Sequence, residues 1–195
     1  RSGPHRVEAL AGVDFRLHPG EFVAVTGPSG SGKSSLLYLL AGLRRPTGGE
    51  VWFEGVPYSR LGPAGLERLR RRAFGFVFQQ PFLIPYLTAV ENVLVGLPEV
   101  GAPGPADGAV RRPRPRREAV EAAVELLRRL GLGDRLTARP HQLSWGQRQR
   151  VSLARALVGG PRVVFADEPT ASLDRASAEE VMALLREHRA RAALV

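Results

Sequence analysis

Cysteine is absent from the 195-residue chain, which excludes disulfides and thiolate metal centres and fits a reducing compartment. No apolar run reaches about 18 residues and nothing reads as a secretory leader, so any membrane role has to run through a partner. Lysine is almost missing as well: of 28 basic residues 27 are arginine and one, Lys33, is not. The formal net charge of +9 invites nucleic acid or an anionic surface as a partner. Yet the arginines are dispersed, and the runs Arg68 to Arg72 and Arg111 to Arg117 carry no interleaved aromatics. They read as solvated faces, and no nucleic-acid partner is expected. A hydrophobic content of 44% at this length implies one domain spanning 1–195. The chain opens on Arg1 and stops in the apolar run Ala192 to Val195, and it is expected to be a fragment truncated at both ends.

The single lysine lies inside Gly27-Pro28-Ser29-Gly30-Ser31-Gly32-Lys33-Ser34, which satisfies the phosphate-binding spacing G-x-x-x-x-G-K-[ST]. Glycines let successive backbone N–H groups turn inward around phosphate oxygens, and a following helix adds its positive N-terminus. An ammonium on a flexible stem curls over such a loop to reach β- and γ-phosphates; a guanidinium is a wide planar fork. A plain Gly/Ser turn is the alternative, and the predicted strand before, the helix after and the solitary lysine argue against it. Gly27 to Ser34, together with Ser35, is the candidate site for a nucleoside triphosphate, with the Ser34 hydroxyl as a candidate Mg²⁺ ligand.

Residues 13–17 and 22–26 read as N-terminal β strands joined by a turn at Pro19-Gly20, the second leading into the glycine loop. Leu36, Leu37, Leu39 and Leu40 predict a buried helix ending near Gly42. Residues 50–53 and 74–78 read as strands and 66–72 as a basic helix. Helical patterns dominate at 88–95, 118–130 and 145–158, interrupted by the Pro/Gly/Arg-rich stretch 98–115, an expected exposed loop. A strand at 162–166, an amphipathic helix at 176–188 and a last strand from Ala192 follow. The fold class is α/β: a core over about 1–85 and 160–195, with a mostly helical subdomain inserted over about 86–159.

Val163-Val164-Phe165-Ala166 ends in Asp167-Glu168, two carboxylates side by side after an apolar strand. In an enzyme with a phosphate-binding loop, Asp167 would bind Mg²⁺ through water and Glu168 would orient and deprotonate the attacking water. An exposed acidic cluster before Pro169 is the competing interpretation.

Leu143-Ser144-Trp145-Gly146-Gln147, followed by Arg148-Gln149-Arg150, resembles the Leu-Ser-Gly-Gly-Gln signature of ATP-binding-cassette ATPases. The glycine loop, Gln79, this signature, Asp167-Glu168 and Ala171-Ser172-Leu173-Asp174 stand in that family's order, and the resemblance covers the whole chain. Phe74 to Gln80, Leu83-Ile84-Pro85 and Leu87 to Val93 are similar to the branch serving lipoprotein release, macrolide export and cell division in bacteria.

The resemblance implies a P-loop NTPase core and a head-to-tail dimer with two ATP molecules sandwiched between the glycine loop of one subunit and the signature of the other. It implies that Ser144, Trp145, Gly146 and Gln147 face the partner's γ-phosphate, and that Gln79 senses Mg²⁺ and the attacking water. Asp174 would lie at the dimer interface, a role compatible with capping the next helix. The partners implied are a second copy or a paired ATPase subunit and an integral membrane permease, with the chain peripheral on the cytoplasmic face of the cell membrane. Two rivals stand beside the transport reading: a degenerate or regulatory ATPase, and a non-transport ATPase acting on DNA. The 111 residues from Lys33 to Ser144 leave no room for the long insertions of the DNA-acting group. Trp145 departs from the family's glycine. The family's adenine-stacking aromatic and switch histidine are expected outside 1–195, and His188 reads as a helix-surface residue.

Overall fold

The computed structural model describes residues 8–97, 116–171, 173–188 and 193–194. Its centre is a parallel sheet of three strands in the order β3, β4, β5: Phe74–Val77, Val163–Ala166 and Ala193–Leu194. Phe74 pairs with Val163 and Val77 with Ala166, while Val163 pairs with Ala193. Side chains alternate between the faces of the sheet. Phe74, Val163 and Phe165 pack with Leu37 of α1 (Lys33–Leu40) and with Ala41 at its C-cap, whereas Val77 and Val164 pack on the opposite side with α5 (Trp145–Leu157) and α6 (Arg175–His188). A sheet buried on both faces needs continuously apolar strands, which is what Val163-Val164-Phe165 supplies.

The helices α3 (Ala89–Leu94), α4 (Arg116–Arg129) and α5 share one core, in which Val93, Ala123, Leu127, Val151 and Leu157 are buried. That core runs without a break into Val164 and Val181, so α5 is the element joining the helical part to the sheet. The approach is close: a Cβ on Gly75 of β3 would stand 2.4 Å from the Ala156 carbonyl oxygen of α5.

Three expectations need correction. The segments 13–17 and 22–26 form no strand ladder; among these residues only Phe22 makes an isolated bridge, although the turn at Pro19-Gly20 is present. Period-two patterning selects a face, but a strand exists only where a neighbouring backbone pairs with it. The helix after the glycine loop buries Leu37 and leaves Leu36, Leu39 and Leu40 partly exposed. The basic helix also starts earlier than the expected 66–72. Helix α2 (Tyr58–Ala73) runs through a kink at Gly62, φ 61°, with Pro63 restarting it. A small antiparallel pair, β1 (Trp52–Phe53) and β2 (Val56–Pro57), precedes it. The loop expected at 98–115 lies outside the described residues.

Candidate functional site

Gly30 and Gly32 have φ of 80° and 92°, a backbone region closed to most side chains, and they bend the glycine loop into the start of α1. No side chain caps that start, so the first N–H groups of α1 remain open donors at the positive end of a helix. Lys33 folds back over the loop and donates from Nζ to the carbonyls of Gly27 and Pro28, both at 2.8 Å. Its ammonium is thereby held at the rim of an exposed cleft of ≈ 260 Å³ lined by Leu10, Val25, Thr26, Ser31 and Leu36. Loop residues Gly27, Pro28, Gly32 and Lys33 form the rest of that wall.

The parallel register brings the ends of β3 and β4 to this loop. The Asp167 N–H donates to the Val77 carbonyl at 2.8 Å, which fixes the acid pair beside the segment leading to Gln79. Ser34 Oγ donates to Asp167 Oδ1 at 3.1 Å, closing a span of 133 residues. Gln79 Nε2 donates to Glu168 Oε2, also at 3.1 Å. Glu168 itself has φ 49°, uncommon for a residue with a side chain, and such strain gathers at sites where geometry is over-determined. Loop, acids and glutamine thus meet at the carboxyl ends of parallel strands, where open α/β sheets bind ligands.

The signature segment is built separately. Ser144 is the N-cap of α5: its Oγ accepts from the Gln147 N–H at 3.2 Å, and Gln147 Oε1 accepts from the Ser144 N–H at 2.9 Å. This reciprocal capping box makes Trp145 the first helical residue, with the indole 40% exposed. Gly146 faces Leu173, whose Cδ2 would stand 3.2 Å from an added Cβ. None of the hydrogen bonds of Ser144 and Gln147 reaches the glycine loop of the same chain. Asp174 caps α6, accepting from the Ser177 N–H at 2.9 Å and the Ser177 hydroxyl at 2.8 Å, and these bonds hold its carboxyl below the ordinary range. The side chain of His188 lies outside the described set.

Three contributors carried no assigned role in the sequence reading. Gln149, buried, donates from Nε2 to the Phe78 carbonyl at 2.9 Å and ties the signature helix to the residue before Gln79. Arg155, further along α5, donates to the carbonyls of Pro81 and Phe82 at 2.7 and 2.8 Å, and burial lowers its pKa. Tyr38 donates to Asp167 Oδ2 at 3.3 Å. Only Tyr38 left a local signal, its i+4 spacing from Ser34.

Known proteins resemble this chain along most of its length. The family model described as ABC transporter matches residues 10–171. An uncharacterized ABC transporter ATP-binding protein of Thermotoga maritima is 50% identical over 184 residues, 94% of this chain and 74% of that protein. The macrolide export ATP-binding/permease protein MacB of Wolinella succinogenes is 52% identical over 181 residues, 93% of this chain and 26% of its own length. The chain therefore spans about a quarter of that relative. Among solved structures, a dimeric ATP-binding cassette, MJ0796, in a post-hydrolysis state with ADP and Pi superposes with a TM-score of 0.85 at 38% identity, covering 100% of this chain and 82% of that one. The cbiO1 component of the cbiONQ transporter complex of Clostridium perfringens gives 0.75 at 30% identity, over 95% and 70% of the two chains.

Proposed function

The chain belongs to the ABC transporter family, and from that premise we propose that it is the ATP-binding and ATP-hydrolysing unit that powers a membrane permease. The observation that carries this reading is the convergence of Ser34 on Asp167 and of Gln79 on Glu168 beside the glycine loop. In this account the loop amides from Gly27 to Ser35 cradle the phosphates, and Lys33 exchanges its two carbonyl partners for β- and γ-phosphate oxygens.

The donor set is oxygen-only, a hydroxyl and carboxylates with an amide nearby, which fits a hard cation that keeps waters and binds chiefly through substrate phosphates. Ser34, Asp167 and Gln79 would hold Mg²⁺, partly through water, and the ion would neutralise charge on the phosphates. Glu168 accepts the proton of a water that Gln79 helps to orient. As that water oxygen bonds to the γ-phosphorus, the bond to the β–γ bridging oxygen breaks, giving ADP and phosphate.

Ser144, Trp145, Gly146 and Gln147 act on the nucleotide of a second copy, or of a paired ATPase subunit, and Asp174 lies at that interface. Their separation from the chain's own glycine loop supports a site completed in trans, as does the dimeric state of MJ0796. A division at about 86 and 159, with a helical part between the halves of the core, belongs to the same reading. So does a peripheral place on the cytoplasmic face of the membrane; among the described residues no helix is long and apolar enough to cross one. The name of the MacB relative favours a permease as the driven partner and export as the direction, and that of cbiO1 a place in a transporter complex.

Glu168→Gln tests the assignment of the base. The amide keeps the shape and loses the proton acceptor, so the variant is expected to bind Mg-ATP without turnover and to sediment as an ATP-stabilised dimer. Hydrolysis at the wild-type rate, or a monomer under saturating ATP, contradicts the role.

A further inference from the structure

Tyr38 lies four residues beyond Ser34 on α1, one turn along the same face. The two hydroxyls take one oxygen each of a single carboxylate, Ser34 on Oδ1 at 3.1 Å and Tyr38 on Oδ2 at 3.3 Å. With a donor on either oxygen, rotation of the Asp167 carboxylate about its Cβ–Cγ bond is pinned. The phenol ring is held in turn. Arg44 lies over it, 5.5 Å from the centroid, and the ring packs against the cluster containing Leu37 and Phe165. The Tyr38 carbonyl closes the end of α1, accepting from the N–H groups of Leu43 and Arg44. Ring and backbone packing alone do not require the hydroxyl. It is the hydroxyl that faces the acid, and the glycine-loop spacing does not specify residue 38.

We propose that Tyr38 is a positioning residue for magnesium, orienting the Asp167 carboxylate without touching nucleotide or metal itself. The proposal rests on the reading of Asp167 as a magnesium-binding acid. Groups that hydrogen-bond a metal's ligands change metal affinity about 10- to 100-fold when removed, and a neutral phenol at 3.3 Å belongs at the lower end.

Tyr38→Phe deletes the hydroxyl and keeps the ring. ATP affinity is measured by calorimetry for wild type and variant, once with Mg²⁺ and once with EDTA. The expected result is equal affinity in EDTA and a Mg²⁺-dependent gain about tenfold smaller in the variant. Asp167→Asn closes the cycle: if Tyr38 acts through Asp167, adding Tyr38→Phe to that variant changes nothing further. An identical Mg²⁺ gain in wild type and Tyr38→Phe overturns the proposal. So does a parallel loss in EDTA, which would mean that Tyr38 supports the loop or helix and not the acid. A wild type that binds ATP but gains nothing from Mg²⁺ overturns the reading of Asp167 along with the proposal, so the two failures are distinguishable.

Discussion

At the scale of single residues, the site depends on contacts between atoms far apart in sequence. Asp167 is met by Ser34 and Tyr38 from 133 and 129 residues away. The Ser34 contact was legible because a known spacing marks both partners, whereas Tyr38 looks like one more apolar position on a leucine-rich helix until the acid is placed. Gly75 was visible as a glycine inside a strand, but its reason was not, since the carbonyl it accommodates belongs to Ala156. Its constraint is space, and adding a methyl group there should destabilise the protein by about 1 to 3 kcal/mol, the range for overpacking a close-fitting interior. Gly48 is the control, because a Cβ there meets nothing within 4 Å. Thermal denaturation of Gly75→Ala and Gly48→Ala should separate the two sites. Equal melting temperatures would show that α5 and β3 are less tightly apposed than described.

Among elements, those with local end signals were readable and those needing a partner were not. Ser144 and Gln147 announce the start of α5 by a reciprocal capping box, as Thr88 and Glu91 do for α3, and both starts fall where the sequence puts them. The segments 13–17 and 22–26 are apolar enough to read as strands and still form no ladder, because pairing is a property of two backbones. Helix α2 extends beyond the expected 66–72, back across a kink at Gly62 and Pro63. The cap of α6 yields a pH prediction. Hydrogen bonds from Ser177 lower the Asp174 pKa from its ordinary 3.8, so between the folded and unfolded values the unfolded chain binds more protons and stability rises with pH. That contribution is fully present above 3.8 and is lost as pH falls through the folded value. Asparagine caps about as well and does not titrate. Melting temperatures of wild type and Asp174→Asn should therefore differ by a constant amount near neutrality, and the difference should shift against the wild type below about pH 4. A difference independent of pH down to about 2 would remove Asp174 as the titrating cap.

In the molecule as a whole, the signature end of α5 is turned outward and Trp145 is exposed where the family's usual residue is glycine; on the proposed function the chain carries half of each site. Ordinary helical geometry at the first position of α5 accommodates the indole without strain, so under the proposed dimer its effect falls at the interface between copies. Trp145→Gly is expected to raise ATP turnover, by about 5- to 150-fold if the bulk costs roughly 1 to 3 kcal/mol of transition-state stabilisation, while leaving the ATP affinity of the monomer unchanged. Unchanged or lower turnover would make the indole a working part of that interface. The central claim, that this chain holds ATP by its glycine loop, is tested most directly by calorimetric titration of wild type and Lys33→Ala with Mg-ATP. Among the described residues Lys33 makes two exposed hydrogen bonds, both to loop carbonyls, so the variant should fold normally. A lost charge-assisted contact worth about 1.5 to 3 kcal/mol weakens binding about 10- to 150-fold, and that loss is the predicted result. Equal affinity in the two proteins would contradict the account.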